Sequence, residues 1–238
     1  MIPFESAPAR LPDGHRVYAI GDVHGCLGKL RALHAAIAAD CAARPMPSTV
    51  LVHLGDLVDR GPDSAGVIEL LAQGSPIAGV ETVNLMGNHE HMALAALAGQ
   101  DRRSVAVWLD NGATASLDSW RVPPGAPVSE WPSHIPPRHL MFLRDLLPMY
   151  RLGPYLFVHA GVRPGVPLDR QSRDDLLWIR EPFLSFDGDY GAVVVHGHTP
   201  RREPEVRHNR ISVDTGAVMG GDLTCVVLES AWLGFLRV

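Results

Sequence analysis

Lysine is almost absent from this 238-residue chain: Lys29 is the only one, and arginine supplies the other positive charges. The formal net charge is −5 and no Lys/Arg block is present. That composition excludes the basic stripe that tracks a phosphate backbone, so no nucleic-acid partner is expected. Cysteine is scarce too. Cys26, Cys41 and Cys225 are odd in number, widely spaced and form no C-x-x-C pair. This argues against a disulfide framework and a thiolate zinc site, and favours a reducing compartment. Cys26 reads as a small packing residue. No apolar run approaches the ~18 residues of a membrane span. The stretch from Met1 to Gly14 has no basic flank followed by an apolar core, so no signal peptide is read and a soluble, cytoplasmic protein is expected.

What is present is an ordinary globular balance, 46% hydrophobic and 20% charged, ample for a continuous core. The first hundred residues alternate strand and helix. Strands are expected at Arg16 to Ile20, Thr49 to Leu54 and Val80 to Met86. Helices are expected at Leu27 to Ala43, at Ala65 to Gln73 behind an Asp63 or Ser64 cap, and at Glu90 to Ala98. Such alternation implies parallel strands with right-handed crossovers. Trp108 to Ala113 reads as a short helix broken by Asn111-Gly112. Six prolines between Val122 and Pro137 stiffen a loop that is either a lid over the site or a surface connection anchored by Trp120 and Trp131. Helix returns over Pro137 to Leu147. Strands then dominate: Tyr155 to Val158, Ala192 to Val195, Arg210 to Val213, Leu223 to Leu228 and Trp232 to Leu236, the last four suiting a meander. The expected fold class is α/β, with two packed sheets flanked by helices and a site at the strand ends. No repeat or linker divides the chain, so residues 1–238 read as a single domain.

Five polar motifs carry the chemistry. They are Gly21-Asp22-Val23-His24-Gly25, Gly55-Asp56-Leu57-Val58-Asp59-Arg60-Gly61, Gly87-Asn88-His89-Glu90, His159-Ala160-Gly161 and His196-Gly197-His198-Thr199. Most follow an apolar, β-prone run, so they belong at strand ends, where ligand sites of α/β sheets form. A lone Asp or His reads first as a hydrogen-bonded turn residue; five such motifs in this order do not. Asp22 and His24, spaced i, i+2, point the same way on extended backbone. Asp56 has two oxygens with which to bridge two ions. Asn88 offers an amide oxygen, and His159 and His198 add imidazoles. Six ligands of this type suit two hard or borderline divalent ions about 3.5–4 Å apart.

With GDLVDRG at 55–61, GNHE at 87–90, Trp178-Ile179-Arg180-Glu181, Gly197-His198-Thr199-Pro200 and Asp214-Thr215-Gly216-Ala217-Val218, the chain resembles the phosphoprotein phosphatase family of metallophosphoesterases. The bacterial and bacteriophage-lambda-type members are the most similar. The resemblance runs from about Val17 to Val227. It implies Asp22 and His24 on the first ion, Asp56 bridging, and Asn88, His159 and His198 on the second. It implies Arg60 and Arg180 gripping phosphate, and His89, held by Asp59, as general acid. A leaving alcohol needs a proton and an imidazole with a carboxylate behind it can supply one. The implied activity is a phosphomonoester hydrolase using a metal-bridging hydroxide on phosphoserine or phosphothreonine proteins, with phosphotyrosine as a further substrate. The alternative is a symmetrical dinucleoside-tetraphosphate hydrolase, with Arg201, Arg202, Arg207 and Arg210 available for extra phosphates. Manganese is the expected metal, although Fe, Zn, Ni, Co or Mg would fit the same donors. A phosphoprotein or phosphopeptide is the expected partner, with no membrane. His196 departs from the lambda-type pattern; His198 is read as the ligand and His196 as its neighbour.

Overall fold

Alternation along the strands decides what faces what. In the computed structural model, which describes residues 2–99 and 102–238, strand β1 spans Phe4–Ser6 and β2 spans His15–Ile20. Tyr18 and Ile20 of β2 face helices, while Val17 and Ala19 face a second sheet. The next elements are α1 (Leu27–Ala43), β3 (Ser48–His53), α2 (Ser64–Ala72), β4 (Glu81–Asn84) and α3 (Asn88–Leu97). Strands β2, β3 and β4 pair in parallel, as the alternation predicted. Asp63 caps α2, its carboxylate accepting the Gly66 N–H at 2.8 Å.

The middle of the chain is more helical than expected. Helices α4 (Arg102–Asp110) and α5 (Ala113–Ser119) flank Asn111-Gly112. The proline-rich segment holds a short helix, α6 (Trp131–His134), before α7 (Pro137–Arg144). Trp120 and Trp131 are both buried. The Trp131 indole N–H donates to the Ala126 carbonyl at 3.0 Å, and its ring meets that of Trp108 edge-on. The tryptophans therefore anchor this segment to the core; neither is offered to a substrate.

The remaining elements are β5 (Met149–Leu152), β6 (Tyr155–Val158), α8 (Arg173–Trp178), β7 (Val193–His196), β8 (Glu205–Val206), β9 (Arg210–Ser212), β10 (Thr224–Glu229) and β11 (Trp232–Arg237). The expected terminal meander does not form. β7 and β9 pair in parallel in a sheet ordered β5-β6-β7-β9-β8, whereas β10 and β11 form a hairpin in the other sheet, ordered β1-β11-β10-β2-β3-β4. Pattern alone cannot assign a strand to one of two sheets, because both present the same apolar face inward. The two sheets share one core in which Val17, Val50 and Val52 meet Tyr155, Phe157 and Val195. Helices cover the outer face of the first sheet, and α8 with Phe183 covers the outer face of the second. Among the described residues, no helix is long and apolar enough to cross a membrane.

Glu90, in the first turn of α3, ties the strand-end loops together. Its Oε1 accepts the N–H groups of Leu57 (2.7 Å) and Val58 (3.1 Å). Its Oε2 accepts those of Gly87 (2.8 Å) and Asp56 (2.9 Å). The loops cross so closely that a Cβ on Gly87 would stand 2.2 Å from the Asp56 nitrogen, which leaves room for glycine alone.

Two outcomes follow. Glu90→Gln keeps the shape but turns one acceptor oxygen into a donor, leaving two buried N–H groups opposed, at a cost of roughly 1–3 kcal/mol each. The variant should melt earlier and bind less metal; unchanged melting and metal content would remove Glu90 from this role. Trp131→Ala should cost about 3–5 kcal/mol as a large core truncation and should lower turnover of small and large substrates alike. A selective loss on large substrates would instead restore the lid.

Candidate active site

The loops after β2 and β3 lie against each other. The N–H groups of Val23 and His24 both donate to the Asp56 carbonyl, at 3.0 and 2.8 Å. His24 and Asp56 have left-handed backbones, with φ of 43° and 49°. Asp22 and His24 thus approach the site around a turn, not along the extended backbone that their spacing suggested.

Backbone carbonyls orient two imidazoles. His24 Nδ1 lies 2.8 Å from the Val58 carbonyl oxygen, and His159 Nδ1 lies 3.0 Å from that of Leu54. In each ring Nδ1–H donates there, so Nε2 keeps its lone pair. The two Nε2 atoms face different oxygens of one carboxylate: His24 is 3.4 Å from Asp56 Oδ2, and His159 is 3.4 Å from Asp56 Oδ1. Asn88, the first residue of α3, holds its Oδ1 2.9 Å from His159 Nε2 and 3.0 Å from His198 Nδ1. With Nδ1–H spent on Leu54, the contact between His159 and Asn88 sets one lone pair against another. Acceptors converging in this way are what a cation needs. Potential ligand atoms gather in two groups that share Asp56: His24, Asp56 and His89 in one, Asp56, His159 and His198 in the other. Asp22 joins from the side, its two oxygens 3.1 and 3.2 Å from the His198 amide nitrogen.

Burial sets the charges. It holds His24 well below its ordinary pKa, helped by His89 and Arg60. It takes His159 down to about 3 and His198 to about 2, the latter with help from His159 and Arg180. The rings are therefore neutral, the state that binds metal. Burial also pushes Asp22 and Asp56 well up, reinforced by Asp214 for Asp22 and by Glu90 for Asp56. Carboxyls that repel one another among neutral imidazoles fit divalent ions with oxygen and nitrogen ligands.

His89 and Asp59 form a buried pair. His89 Nδ1 is 2.7 Å from Asp59 Oδ2, and His89 Nε2 has no partner and lies 3.9 Å from Asp56 Oδ2. Burial, then Arg60, lowers His89 to about 3; burial raises Asp59 to about 7 against the pull of donors from Ser116 and Trp108. The Arg60 side chain reaches the same point, its Nη1 donating to His24 Nε2 at 2.9 Å. Arg180 is exposed and makes no salt bridge with Glu181 or Asp174 among the described residues. Trp178 presents its ring edge-on to His198, with centroids 6.3 Å apart. His196 is buried against the Phe183 ring, its Nδ1 3.1 Å from the Gly197 oxygen, and it belongs to neither ligand group.

The sequence reading gave no role to Glu90, Trp108, Ser116 or Asp214. Glu90 stands inside a motif already singled out, so its position was a signal. Asp214 is buried, accepts the Gly216 N–H at 3.0 Å and acts on Asp22; it too stood in a motif of the resemblance. Nothing in the spacing of Trp108 and Ser116 points to Asp59.

Comparison with known proteins agrees with this geometry. A family model described as calcineurin-like phosphoesterase matches residues 15–221. Serine/threonine-protein phosphatase 1 of Salmonella typhimurium is 31% identical over 230 residues, covering 90% of this chain and 92% of that protein. The asymmetrical bis(5'-nucleosyl)-tetraphosphatase PrpE of Bacillus subtilis is 30% identical over 228 residues, covering 86% and 87%. The solved structure of a candidate diadenosine tetraphosphatase has the same fold, with a TM-score of 0.68 at 24% identity over 98% of both chains. The paired ligand groups, the strand-end loops and the family match lead to one conclusion: the chain belongs to the calcineurin-like phosphoesterases, hydrolases of phosphoric ester bonds that use divalent metals.

Proposed function

We propose that this chain is a metal-dependent phosphomonoesterase acting on phosphoserine and phosphothreonine in proteins, with phosphotyrosine also accepted. The observation that carries the reading is the His89–Asp59 pair, with an unpartnered Nε2 beside Asp56. A proton donor there matters for an alkoxide, a poor leaving group, and matters little for a leaving nucleotide. The likeness to the Salmonella protein phosphatase supports the same substrate class. In this reading Asp22 and His24 would hold one ion, Asn88, His159 and His198 the other, with Asp56 shared between them; manganese is the proposed metal. Such ions, when bound, supply Lewis acidity toward phosphate oxygens and lower the pKa of water.

The chain's own groups do the rest. Arg60 donates to His24 Nε2, the atom that would hold a metal, and with that atom occupied its guanidinium would be available to a phosphate oxygen. Arg180, exposed and close enough to depress His198, reaches the phosphate from the other sheet. Asp59 fixes the ring orientation of His89. The low proton affinity of His89 belongs to the free site; phosphate negative charge beside the ring raises it. A second reading, cleavage of dinucleoside tetraphosphates, is favoured by the PrpE relatives, which are of the asymmetrical type and not the symmetrical type that the motifs suggested.

Protein stripped by a chelator should be inactive on p-nitrophenyl phosphate and should recover with manganese; full activity in metal-free protein would sink the metal assignment. Faster turnover of a phosphoserine peptide than of diadenosine tetraphosphate, under one metal condition, is expected, and the reverse order selects the second reading. His89→Asn should leave metal content near normal and slow phosphoserine hydrolysis by roughly 10²–10⁴. The loss should be much smaller for p-nitrophenyl phosphate, whose leaving group needs no proton.

A further inference from the structure

The hairpin of α4 and α5 supplies no expected ligand, yet three of its groups hold Asp59 and Arg60. Trp108 Nε1–H donates to Asp59 Oδ2 at 2.8 Å. Ser116 Oγ donates to Asp59 Oδ1 at 2.6 Å and accepts the Asp59 amide N–H at 2.8 Å. Between the two helices, the Gly112 carbonyl accepts the Arg60 amide N–H at 3.1 Å. A Cβ on Gly112 would stand 2.9 Å from Arg60 Cγ. Asp59 and Arg60 have φ of 71° and 68°, a left-handed conformation that side chains other than glycine rarely hold. Trp108 and Ser116 are themselves fully buried, and the Trp108 ring packs against Trp131. A hairpin serving only to cover the core would need apolar contacts here; this one spends an indole N–H, a hydroxyl and a carbonyl on two adjacent residues.

We propose that the α4–α5 hairpin is a positioning clamp, in which Trp108 and Ser116 fix the carboxylate that orients His89, and Gly112 fixes the arginine that meets phosphate. The clamp rests on the reading of His89 as proton donor. As the phosphorus–oxygen bond breaks, its electron pair stays on the serine oxygen, which takes the Nε2 proton of the imidazolium form of His89; the attacking water leaves its oxygen and one hydrogen on phosphorus, and its other proton passes to solvent, from which His89 is protonated again. Trp108 and Ser116 are fully buried and stand outside both ligand groups. Their effect passes through the angle of the imidazole, so it scales with how much the leaving group needs a proton. The clamp therefore favours alkyl phosphomonoesters over phosphoanhydrides.

The experiment uses the manganese-loaded full chain and compares Ser116→Ala, Trp108→Phe, His89→Asn and the control Ser119→Ala. Ser119 lies on the same helix but accepts the Ala65 N–H at 2.9 Å and does not touch Asp59. Each variant is assayed on a phosphoserine peptide and on p-nitrophenyl phosphate, with metal content and Tm measured beside kcat. Ser116→Ala and Trp108→Phe should lower kcat on the peptide by roughly 10- to 100-fold, the weight of a misplaced reacting group, and should lower it severalfold less on the aryl phosphate. Ser119→Ala should leave the ratio of the two rates unchanged. Losses that are equal on both substrates and track Tm, beside a split ratio in His89→Asn, overturn the clamp and spare the donor. An unsplit ratio in His89→Asn overturns the donor and the clamp with it. Ser116→Ala changes a single oxygen, so the comparison survives if Trp108→Phe proves unstable.

Discussion

One buried carboxylate sets the shape of the site. Glu90 binds four backbone N–H groups from two loops, and nothing but an ionised carboxylate offers enough acceptors in so small a space. Asp56, Leu57 and Val58 are thereby bent around the end of β3, and Gly87 is drawn against them. The same bend turns the Asp56 carbonyl toward Val23 and His24 and the Val58 carbonyl toward the His24 ring. The turn at His24, the tautomer of its ring, the placement of Asp56 between the two ligand groups and the start of α3 all depend on it. Left-handed backbones at His24, Asp56, Asp59, Arg60 and His198 show where the strain is stored. Each such residue costs on the order of 1–3 kcal/mol and persists only where its surroundings over-determine it. Here the surroundings are hydrogen bonds, not apolar packing.

The two sheets divide the work. Asp22, His24, Asp56 and Asn88 follow strands of the first sheet, and His159 and His198 follow β6 and β7 of the second. The apolar core between the sheets sets their separation, because interdigitated valine and aromatic side chains resist compression. Polar contacts then set the register across the gap: His159 Nδ1 to the Leu54 carbonyl, and the His198 N–H to Asp22. The spacing of the two ligand groups is thus inherited in part from core side chains that belong to neither group.

Much of this was legible in the residues, and the reasons differ by region. The β2–α1–β3–α2–β4 order was readable because its hydrophobic period switches cleanly between two and three to four, and Asp63 marks a helix start. The six expected ligands converge because strand-end loops of one face must meet. What was lost depends on tertiary contact. Short β1, β5 and β8 carry too few residues to show a period. β10 and β11 return to the first sheet by pairing with β2, a choice made by partner and not by pattern. Trp131, in a proline-rich stretch, read equally as exposed or anchored until Trp108 appeared beneath it. The extended-backbone argument for Asp22 and His24 does not describe the chain there, since a left-handed turn at His24 does the aiming.

Charge is what couples this scaffold to its chemistry. Asp22, Asp56, Asp59, Glu90 and Asp214 are buried together, and most of them raise one another's affinity for protons. The neighbouring imidazoles are held neutral by the same burial and cannot compensate. Arg60 is the cation that meets this need in the free protein, and it does so by donating to a histidine that a metal would claim. A site arranged in this way favours its metals by relief of repulsion as well as by ligation, since each divalent charge offsets more than one carboxylate. Binding and folding are linked wherever a ligand meets only the folded chain. Divalent ions held by the proposed ligands would therefore stabilise the strained loops that present them.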